Sequence, residues 1–278
     1  MRIHHLNCGT MRPWGAPEGL VCHVLLVETG TGLVLIDSGL GLLDRTAPGR
    51  RFGPARHFVR PVFQEAETAI RQVERAGFDP TDVRNIVLTH FDADHVGGLA
   101  DFPWADVHLT SAEAAAALRP ATRIEKERYK PAQRTHRPTL ISHTPRTGET
   151  WRGFAAATEL TAITPGIVLI ALPGHTRGHA AVAVDGGDHW VLHAGDAFYH
   201  HSQVDGTGRT PKSLIAMERI AAHDWHKVQT NHERLSELWQ TADADLMLIN
   251  AHDPHLLTQA RARTSRRADG PQCGATPP

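Results

Sequence analysis

The sequence has little cysteine and no long apolar run, and each absence excludes a class of protein. The three cysteines, Cys8, Cys22 and Cys273, are too few and too scattered for a disulfide framework or a thiolate metal cage. No segment approaches the roughly 18 apolar residues that indicate a membrane-spanning helix. The N-terminus also lacks the apolar stretch behind a basic head that marks a secretion signal. We therefore expect a cytoplasmic protein with no membrane partner.

The chain also lacks an excess of charge of either sign. Lys and Arg together number 29, and Asp and Glu number 30, so the formal net charge is -1 at pH 7. A protein that binds nucleic acid through its phosphates needs a basic surface, so a nucleic-acid partner is not expected. The abundant residue is histidine, with 20 copies in 278 residues. Imidazole is the commonest metal ligand and titrates near neutral pH, so the positions of these histidines matter most.

Alternating strand and helix patterns predict a layered α/β fold. Hydrophobic periodicity predicts a strand hairpin over 21–37, a helix over 64–77, a strand over 85–89, a strand and a helix over 106–118, three strands between 167 and 193, helical structure over 214–242 and a last strand over 246–249. Residues 40–62 and 119–150 show no period, and we expect a covering loop in the first and a lid or mobile insertion in the second. The basic residues after 257 predict a disordered tail over 258–278, which leaves one domain over 1–257.

Four side chains that can bind metals lie within six residues, directly after the predicted strand over 85–89. They are His90, Asp92, Asp94 and His95. Imidazole and carboxylate groups without a thiolate suit a hard or borderline divalent ion. The alternating spacing directs His90 and Asp92 to one side and Asp94 and His95 to the other. This arrangement favours two metal ions over one.

Further candidate ligands follow other predicted strands. His175 and His179 lie in the segment Pro-Gly-His-Thr-Arg-Gly-His, Asp196 follows a glycine, and His252 follows the last strand. Strand ends often carry functional side chains, and these would converge on one rim of the sheets. The pattern therefore predicts a single metal centre assembled from distant parts of the chain.

The order H-x-x-x-D-H-x-G-G, P-G-H-T-x-G-H, G-D and a late histidine resembles the metallo-β-lactamase superfamily, over about residues 21–253. The resemblance implies a four-layer αββα sandwich of two mixed β-sheets with helices on the outer faces. It also implies a dinuclear centre, in which His90, Asp92 and His179 bind one ion, Asp94, His95 and His252 bind the other, and Asp196 bridges them. Asp37 and His175 are expected to support the ligands without touching the ions.

One position departs from the family pattern. Most members have histidine where this chain has Asp92. A carboxylate there adds negative charge and hardens the site, which makes iron or manganese more plausible than usual. We expect two divalent metal ions, with zinc as the first choice and iron or manganese as the alternatives.

Two metal ions that share a hydroxide can attack a carbonyl group, so we expect hydrolysis of an ester, a lactone or a related small-molecule substrate. Asp94 would orient the hydroxide and pass a proton to the leaving group. Tyr199 is similar in placement to the tyrosine of N-acyl-homoserine lactone lactonases, where it would stabilise an oxyanion. A tyrosine that only packs at a strand end is the alternative for this position.

Several other functions stay open at this point. Hydrolysis of a glutathione thioester or a phosphodiester would use the same centre. An iron-dependent oxidoreductase or dioxygenase of the same fold is a second class, and a protein that only binds a ligand is a third. Seven intact ligand candidates argue against the third class, because an unused cluster of acids would repel itself.

Overall fold

The computed structural model describes residues 1–146, 148–242 and 245–268. The strands are β1 (Arg2–Met11), β2 (Leu20–Thr29), β3 (Gly32–Ile36), β4 (Val83–Val87), β5 (Asp106–Thr110), β6 (Thr139–His143), β7 (Thr150–Trp151), β8 (Phe154–Ala155), β9 (Ala157–Glu159), β10 (Ile167–Ala171), β11 (Ala180–Asp185), β12 (Trp190–His193) and β13 (Leu246–Ile249). The α-helices are α1 (Leu42–Thr46), α2 (Pro48–Arg51), α3 (Arg56–Val59), α4 (Ala69–Arg75), α5 (Ala93–Val96), α6 (Ser111–Leu118), α7 (Arg123–Arg128), α8 (Lys212–Ala221), α9 (Trp225–Thr241) and α10 (Pro254–Ala268).

The strands form two mixed sheets and a small hairpin. The first sheet has the order β1-β2-β3-β4-β5-β6, antiparallel up to β3 and parallel from β3 to β6. The second has the order β13-β12-β11-β10-β9, in which only β12 and β13 run parallel among the described strands. Strands β7 and β8 pair with each other.

The two sheets pack face to face, and β2 shows why the sequence permits this. Leu25 and Val27 face the second sheet and pack with residues of β10 and β11. Val24 and Leu26 point the other way and pack with α4 and α6. Because both faces of the strand are buried, its sequence is a continuous apolar run instead of an alternating one.

Helices cover the outer face of the second sheet as well. Leu235 and Leu238 of α9 and Leu256 of α10 pack against β10, β11 and β12 on the side away from the first sheet. The layers are therefore helices, sheet, sheet and helices, which confirms the predicted αββα sandwich.

The two segments without periodicity are more ordered than expected. Residues 40–62 hold the short helices α1, α2 and α3, and residues 119–150 hold α7 and β6, which extends the parallel part of the first sheet. A buried ion pair between Asp44 and Arg51 fastens the first segment, and Gln133 donates to Asp44 from the second at 3.0 Å. Local periodicity does not reveal the contact between the two segments, because Asp44 and Gln133 lie far apart in the sequence.

The C-terminal prediction was wrong over residues 258–268, which belong to α10. Leu256, Leu257 and Ala260 of this helix are buried, whereas the prediction rested on the basic residues that follow them. The rest of the predicted tail, 269–278, lies outside the described residues.

The predicted helical region over 214–242 is divided into α8 and α9, and Asp224 caps α9 by accepting from the backbone N–H of Lys227. No helix in the described part of the chain is both long and apolar enough to span a membrane.

Candidate metal centre

The candidate ligands meet at one edge of the sandwich because each follows a strand that ends there. The segment with His90 and His95 follows β4 of the first sheet. His175, Asp196 and His252 follow β10, β12 and β13 of the second sheet. The centre therefore lies between the sheets, and both sheets supply side chains to it.

The first group of side chains consists of His90, Asp92 and His175. Oδ2 of Asp92 lies 3.4 Å from Nε2 of His90 and 3.0 Å from Nε2 of His175. The two histidines are buried, and Asp92 is partly exposed towards a cavity. Three donor atoms from two loops, one after β4 and one after β10, therefore converge on one small volume.

The second group consists of Asp94, His95 and His252, and Asp196 lies between the two groups. Nε2 of His252 lies 3.6 Å from Oδ2 of Asp94. Asp196 directs Oδ1 to Nε2 of His95 at 3.1 Å and Oδ2 to Nε2 of His252 at 3.1 Å. Oδ2 of Asp196 is also 3.4 Å from Nε2 of His175, so this carboxylate contacts both groups.

His179 and His175 occupy the opposite places to those expected. Nδ1 of His179 donates to the carbonyl of Leu172 at 3.0 Å, and its Nε2 accepts from the backbone N–H of Asp196 at 3.0 Å. Burial lowers the pKa of His179 well below its usual value, in keeping with a neutral ring that donates once and accepts once. Both ring nitrogens are engaged by backbone, so His179 supports the loop of Asp196 while His175 joins the first group. The spacing of the motif does not reveal which of its two histidines faces the centre.

The buried polar atoms of the centre are suited to a metal ion. Nε2 of His90 and Nε2 of His95 are buried and face carboxylate oxygens, at 3.4 Å for Asp92 and 3.1 Å for Asp196, but neither makes a hydrogen bond of good geometry within the described residues. Their other ring nitrogens are held, since Nδ1 of His90 donates to Oγ1 of Thr89 at 3.0 Å and Nδ1 of His95 donates to Asp37 at 2.8 Å. An unpaired buried polar atom destabilises a fold by about 1–3 kcal/mol, and a metal ion would satisfy it. Imidazole and carboxylate donors suit zinc, manganese or iron.

Asp37 lies behind the ligand loop, at the place that the resemblance implies. It follows β3 with a positive φ of 60°, a strained conformation for a residue other than glycine. Its two oxygens accept from the backbone N–H and the hydroxyl of Thr89, each at 2.8 Å. The turn thus brings one carboxylate under both His90 and His95.

Arg128 is a charged residue of the centre that sequence reasoning missed. Its Nε lies 3.0 Å from Oδ1 of Asp92, and it also donates to the carbonyls of His175 and Ala221. Burial raises the pKa of Asp92, but Arg128 and His90 outweigh it and hold the pKa well below the usual range. Arg128 lies in the segment 119–150, where no periodic pattern pointed to it.

Glu113 was missed as well, although a charged residue within an otherwise alanine-rich helix was a usable signal. It is fully buried and accepts four hydrogen bonds, from the backbone N–H groups of Phe91 and Gly178 and the hydroxyls of Tyr129 and Thr176. Both ligand loops are therefore tied to one carboxylate.

A cavity of about 300 Å³ opens over the two groups, and its wall is mostly apolar. The larger apolar side chains are Met11, Leu20, Phe52, Phe58, Val59, Ile124, Met217 and Ile220. Three of them are unusually exposed for their size, Phe58 at 47%, Ile124 at 78% and Ile220 at 76%. An exposed apolar patch beside a polar site is typical of a surface that binds an apolar ligand.

Tyr199 is buried and faces this cavity. The centre of its ring lies 5.4 Å from that of His252 and 6.1 Å from that of His175. Burial, together with Asp196, raises the pKa of Tyr199 well above its usual value, so the phenol keeps its proton. A protonated phenol at this place is able to donate a hydrogen bond into the cavity.

The family model of the metallo-beta-lactamase superfamily matches residues 17–252. The chain belongs to the metallo-β-lactamase superfamily. Among curated relatives, the probable metallo-hydrolase Rv2300c of Mycobacterium tuberculosis is 51% identical over 261 residues, which cover 94% of this chain and 83% of that protein.

Two solved lactonase structures share the superfamily fold with this chain. The first is an N-acyl homoserine lactone hydrolase with N-hexanoyl-L-homoserine bound at its catalytic metal centre, with a TM-score of 0.65, 21% identity and coverage of 93% of this chain and 95% of that chain. The second is AidC, a dizinc quorum-quenching lactonase, with a TM-score of 0.54, 18% identity and coverage of 85% and 74%. The family model, and not these structures, confirms the superfamily predicted from the motifs.

Proposed function

We propose that this metallo-hydrolase opens a lactone, or cleaves a related ester, that carries an apolar acyl chain. The observation that carries the proposal is the junction of the two ligand groups with the apolar cavity. Asp196 joins the groups, and Asp94 and Tyr199 line the cavity directly beside them. The proposed reacting groups thus lie beside an apolar surface that would hold an acyl chain.

Seven residues are proposed as ligands of two divalent metal ions. His90, Asp92 and His175 would hold the first ion, Asp94, His95 and His252 the second, and Asp196 would bridge them. Two divalent ions in these positions would lower the pKa of a bound water and polarise a substrate carbonyl. Zinc is the first choice, since imidazole dominates both groups.

Two side chains are proposed to act on the substrate itself. One oxygen of Asp94 lies 3.6 Å from Nε2 of His252, and the side chain faces the cavity, where it would accept a proton and return it to the leaving oxygen. The protonated phenol of Tyr199 would donate a hydrogen bond to the negative charge that develops on the carbonyl oxygen. Asp37 would keep the ring of His95 in one orientation.

The cavity favours an apolar carbonyl substrate over a phosphodiester. Among the described residues that line it, Arg128 is the only lysine or arginine, and its nitrogens already contact Asp92 and two backbone carbonyls. A phosphodiester would find no unengaged cation in that lining. The lactonases with the same fold make a lactone the first substrate to test.

The test is a substrate panel with the purified full chain, loaded with zinc. N-acyl lactones of increasing chain length, the matching linear esters and thioesters, and a phosphodiester are compared by product formation. We expect the highest kcat/KM for a lactone, increasing with acyl length. Tyr199→Phe should lower kcat by about 10- to 100-fold with unchanged metal content. Preference for the phosphodiester, or no hydrolysis of any carbonyl substrate, would refute the proposal.

A further inference from the structure

The two carboxylate oxygens of Asp92 contact different groups. Oδ2 faces the metal centre, 3.0 Å from Nε2 of His175 and 3.4 Å from Nε2 of His90. Oδ1 faces away from it and lies 3.0 Å from Nε of Arg128. One residue therefore contacts the proposed ligand set on one side and a cation on the other.

The guanidinium of Arg128 is held in place by hydrogen bonds to backbone carbonyls. Nη1 donates to the carbonyl of His175 at 3.0 Å, and Nη2 donates to the carbonyl of Ala221. Most of its side chain is buried. Carbonyls orient a guanidinium but carry no net charge, so within the described residues it is Asp92 that balances Arg128 at ion-pair distance. Without Asp92, the cation would stand unbalanced beside the metal centre.

The charges of this pair sum to zero. Asp92, Asp94 and Asp196 carry three negative charges towards the centre, but Arg128 offsets one of them. The expectation that Asp92 adds negative charge, and so favours iron or manganese, left out this counter-charge. Asp92 and Arg128 together therefore contribute the same net charge to the centre as a neutral histidine at position 92 would.

We propose that Arg128 is a charge-balancing residue of the first metal position. Asp92 would bind the ion through Oδ2, while Arg128 pairs with Oδ1 and cancels the carboxylate charge. The inference rests on the proposed function in one respect, that Asp92 is a metal ligand. It follows that zinc affinity depends on the summed charge of residues 92 and 128 and not on either residue alone.

The test is a zinc titration of metal-free, untagged full chains against a chelating dye, without substrate. The variants are Asp92→His, Asp92→His with Arg128→Gln, and Asp92→His with Arg128→Lys. Asp92→His leaves the cation unbalanced and should weaken binding of one zinc ion by at least about tenfold. The double variant with Arg128→Gln restores the summed wild-type charge of the two positions and should bind zinc within about threefold of wild type. The double variant with Arg128→Lys keeps the cation, so its zinc binding should stay weak.

Two results overturn the inference. One is that Asp92→His with Arg128→Gln binds zinc as weakly as Asp92→His alone. The other is that Asp92→His with Arg128→Lys recovers zinc affinity as well as the variant with Arg128→Gln, because charge would then not be the cause. Should the histidine variants fail to fold, Asp92→Asn, Arg128→Gln and their combination are compared by the melting temperature of the metal-free protein. Arg128→Gln should raise the melting temperature of Asp92→Asn, and simple additive losses would refute charge balancing. A wild-type chain that binds no zinc would refute the proposed function instead, and this melting comparison would still test the pair.

Discussion

The carboxylate of Glu113 accepts a 2.7 Å hydrogen bond from the hydroxyl of Thr176 and thereby joins the two sheets at the metal centre. Glu113 lies on α6, which follows β5 of the first sheet, and Thr176 follows β10 of the second. The other oxygen of Glu113 accepts from the backbone N–H of Phe91 at 2.9 Å and from the hydroxyl of Tyr129 at 3.0 Å. One buried carboxylate therefore helps to set the spacing between the two ligand loops.

Replacement of Glu113 by glutamine should disturb both loops at once. The amide NH₂ would face N–H or O–H donors where an oxygen now accepts, so we expect a loss of roughly 2–4 kcal/mol in the free energy of unfolding. Thr176→Val removes one donor and should cost about 1 kcal/mol. Denaturant unfolding of both variants measures the difference. Equal stability of the two would show that Glu113 does not organise the loops.

The two histidines of the P-G-H-T-x-G-H motif should differ in their effect on metal content. His175→Ala removes a proposed ligand, whereas His179→Ala removes a ring whose two nitrogens are hydrogen-bonded to the backbone of Leu172 and Asp196. We expect His175→Ala to lose about one metal ion per chain and His179→Ala to retain clearly more. Elemental analysis measures both, with the exposed His226→Ala as the control. Equal losses would contradict the assignment of His175.

The exposed apolar side chains at the cavity should matter for long acyl chains only. Ile124→Ser and Ile220→Ser change side chains that are 78% and 76% exposed in the free protein, so the melting temperature should not change. An acyl chain packed on either side chain would gain roughly 1 kcal/mol, so each variant should raise KM about fivefold for long-chain lactones and leave short-chain lactones unaffected. Leu118→Ser, outside the cavity wall, is the control. Unchanged KM for every chain length would place the acyl chain elsewhere.

Asp101 should make the protein less stable as the pH rises through the weakly acidic range. Burial raises the pKa of Asp101 from 3.8 to about 6. Between these values the unfolded chain has already released the proton that the folded chain keeps, so stability falls as the pH rises and then levels off above about 6. Asp101→Asn lacks this loss and should gain stability relative to wild type from pH 4 to pH 6. Melting temperatures of the two proteins across this range provide the measurement, and a constant difference would contradict it.

The strands that precede the candidate ligands, and the positions of most of these ligands, could be predicted because they depend on local patterns. The apolar runs before His90, His175 and His252 indicate buried strands, and side chains that follow buried strands converge at a sheet edge. The choice between His175 and His179 could not be made in this way. It depends on which backbone groups the loop directs at each ring, and both histidines satisfy the same motif.

The long-range polar contacts were also beyond the reach of the sequence. Arg128 meets Asp92, and Gln133 meets Asp44 and Arg51, only after distant segments have folded together. Neither contact leaves a periodic trace, since at least one partner in each lies in a segment without amphipathic pattern. The buried apolar positions of α10 did leave such a trace, at Leu256, Leu257 and Ala260, but the basic residues around them obscured it.

The most direct test of the dinuclear account is the metal content of the purified wild-type chain without a histidine tag, measured by elemental mass spectrometry. The two ligand groups joined by Asp196 predict about two divalent ions per chain, with zinc the first choice. A single iron ion per chain, or a chain that retains no metal and takes up none, would contradict it.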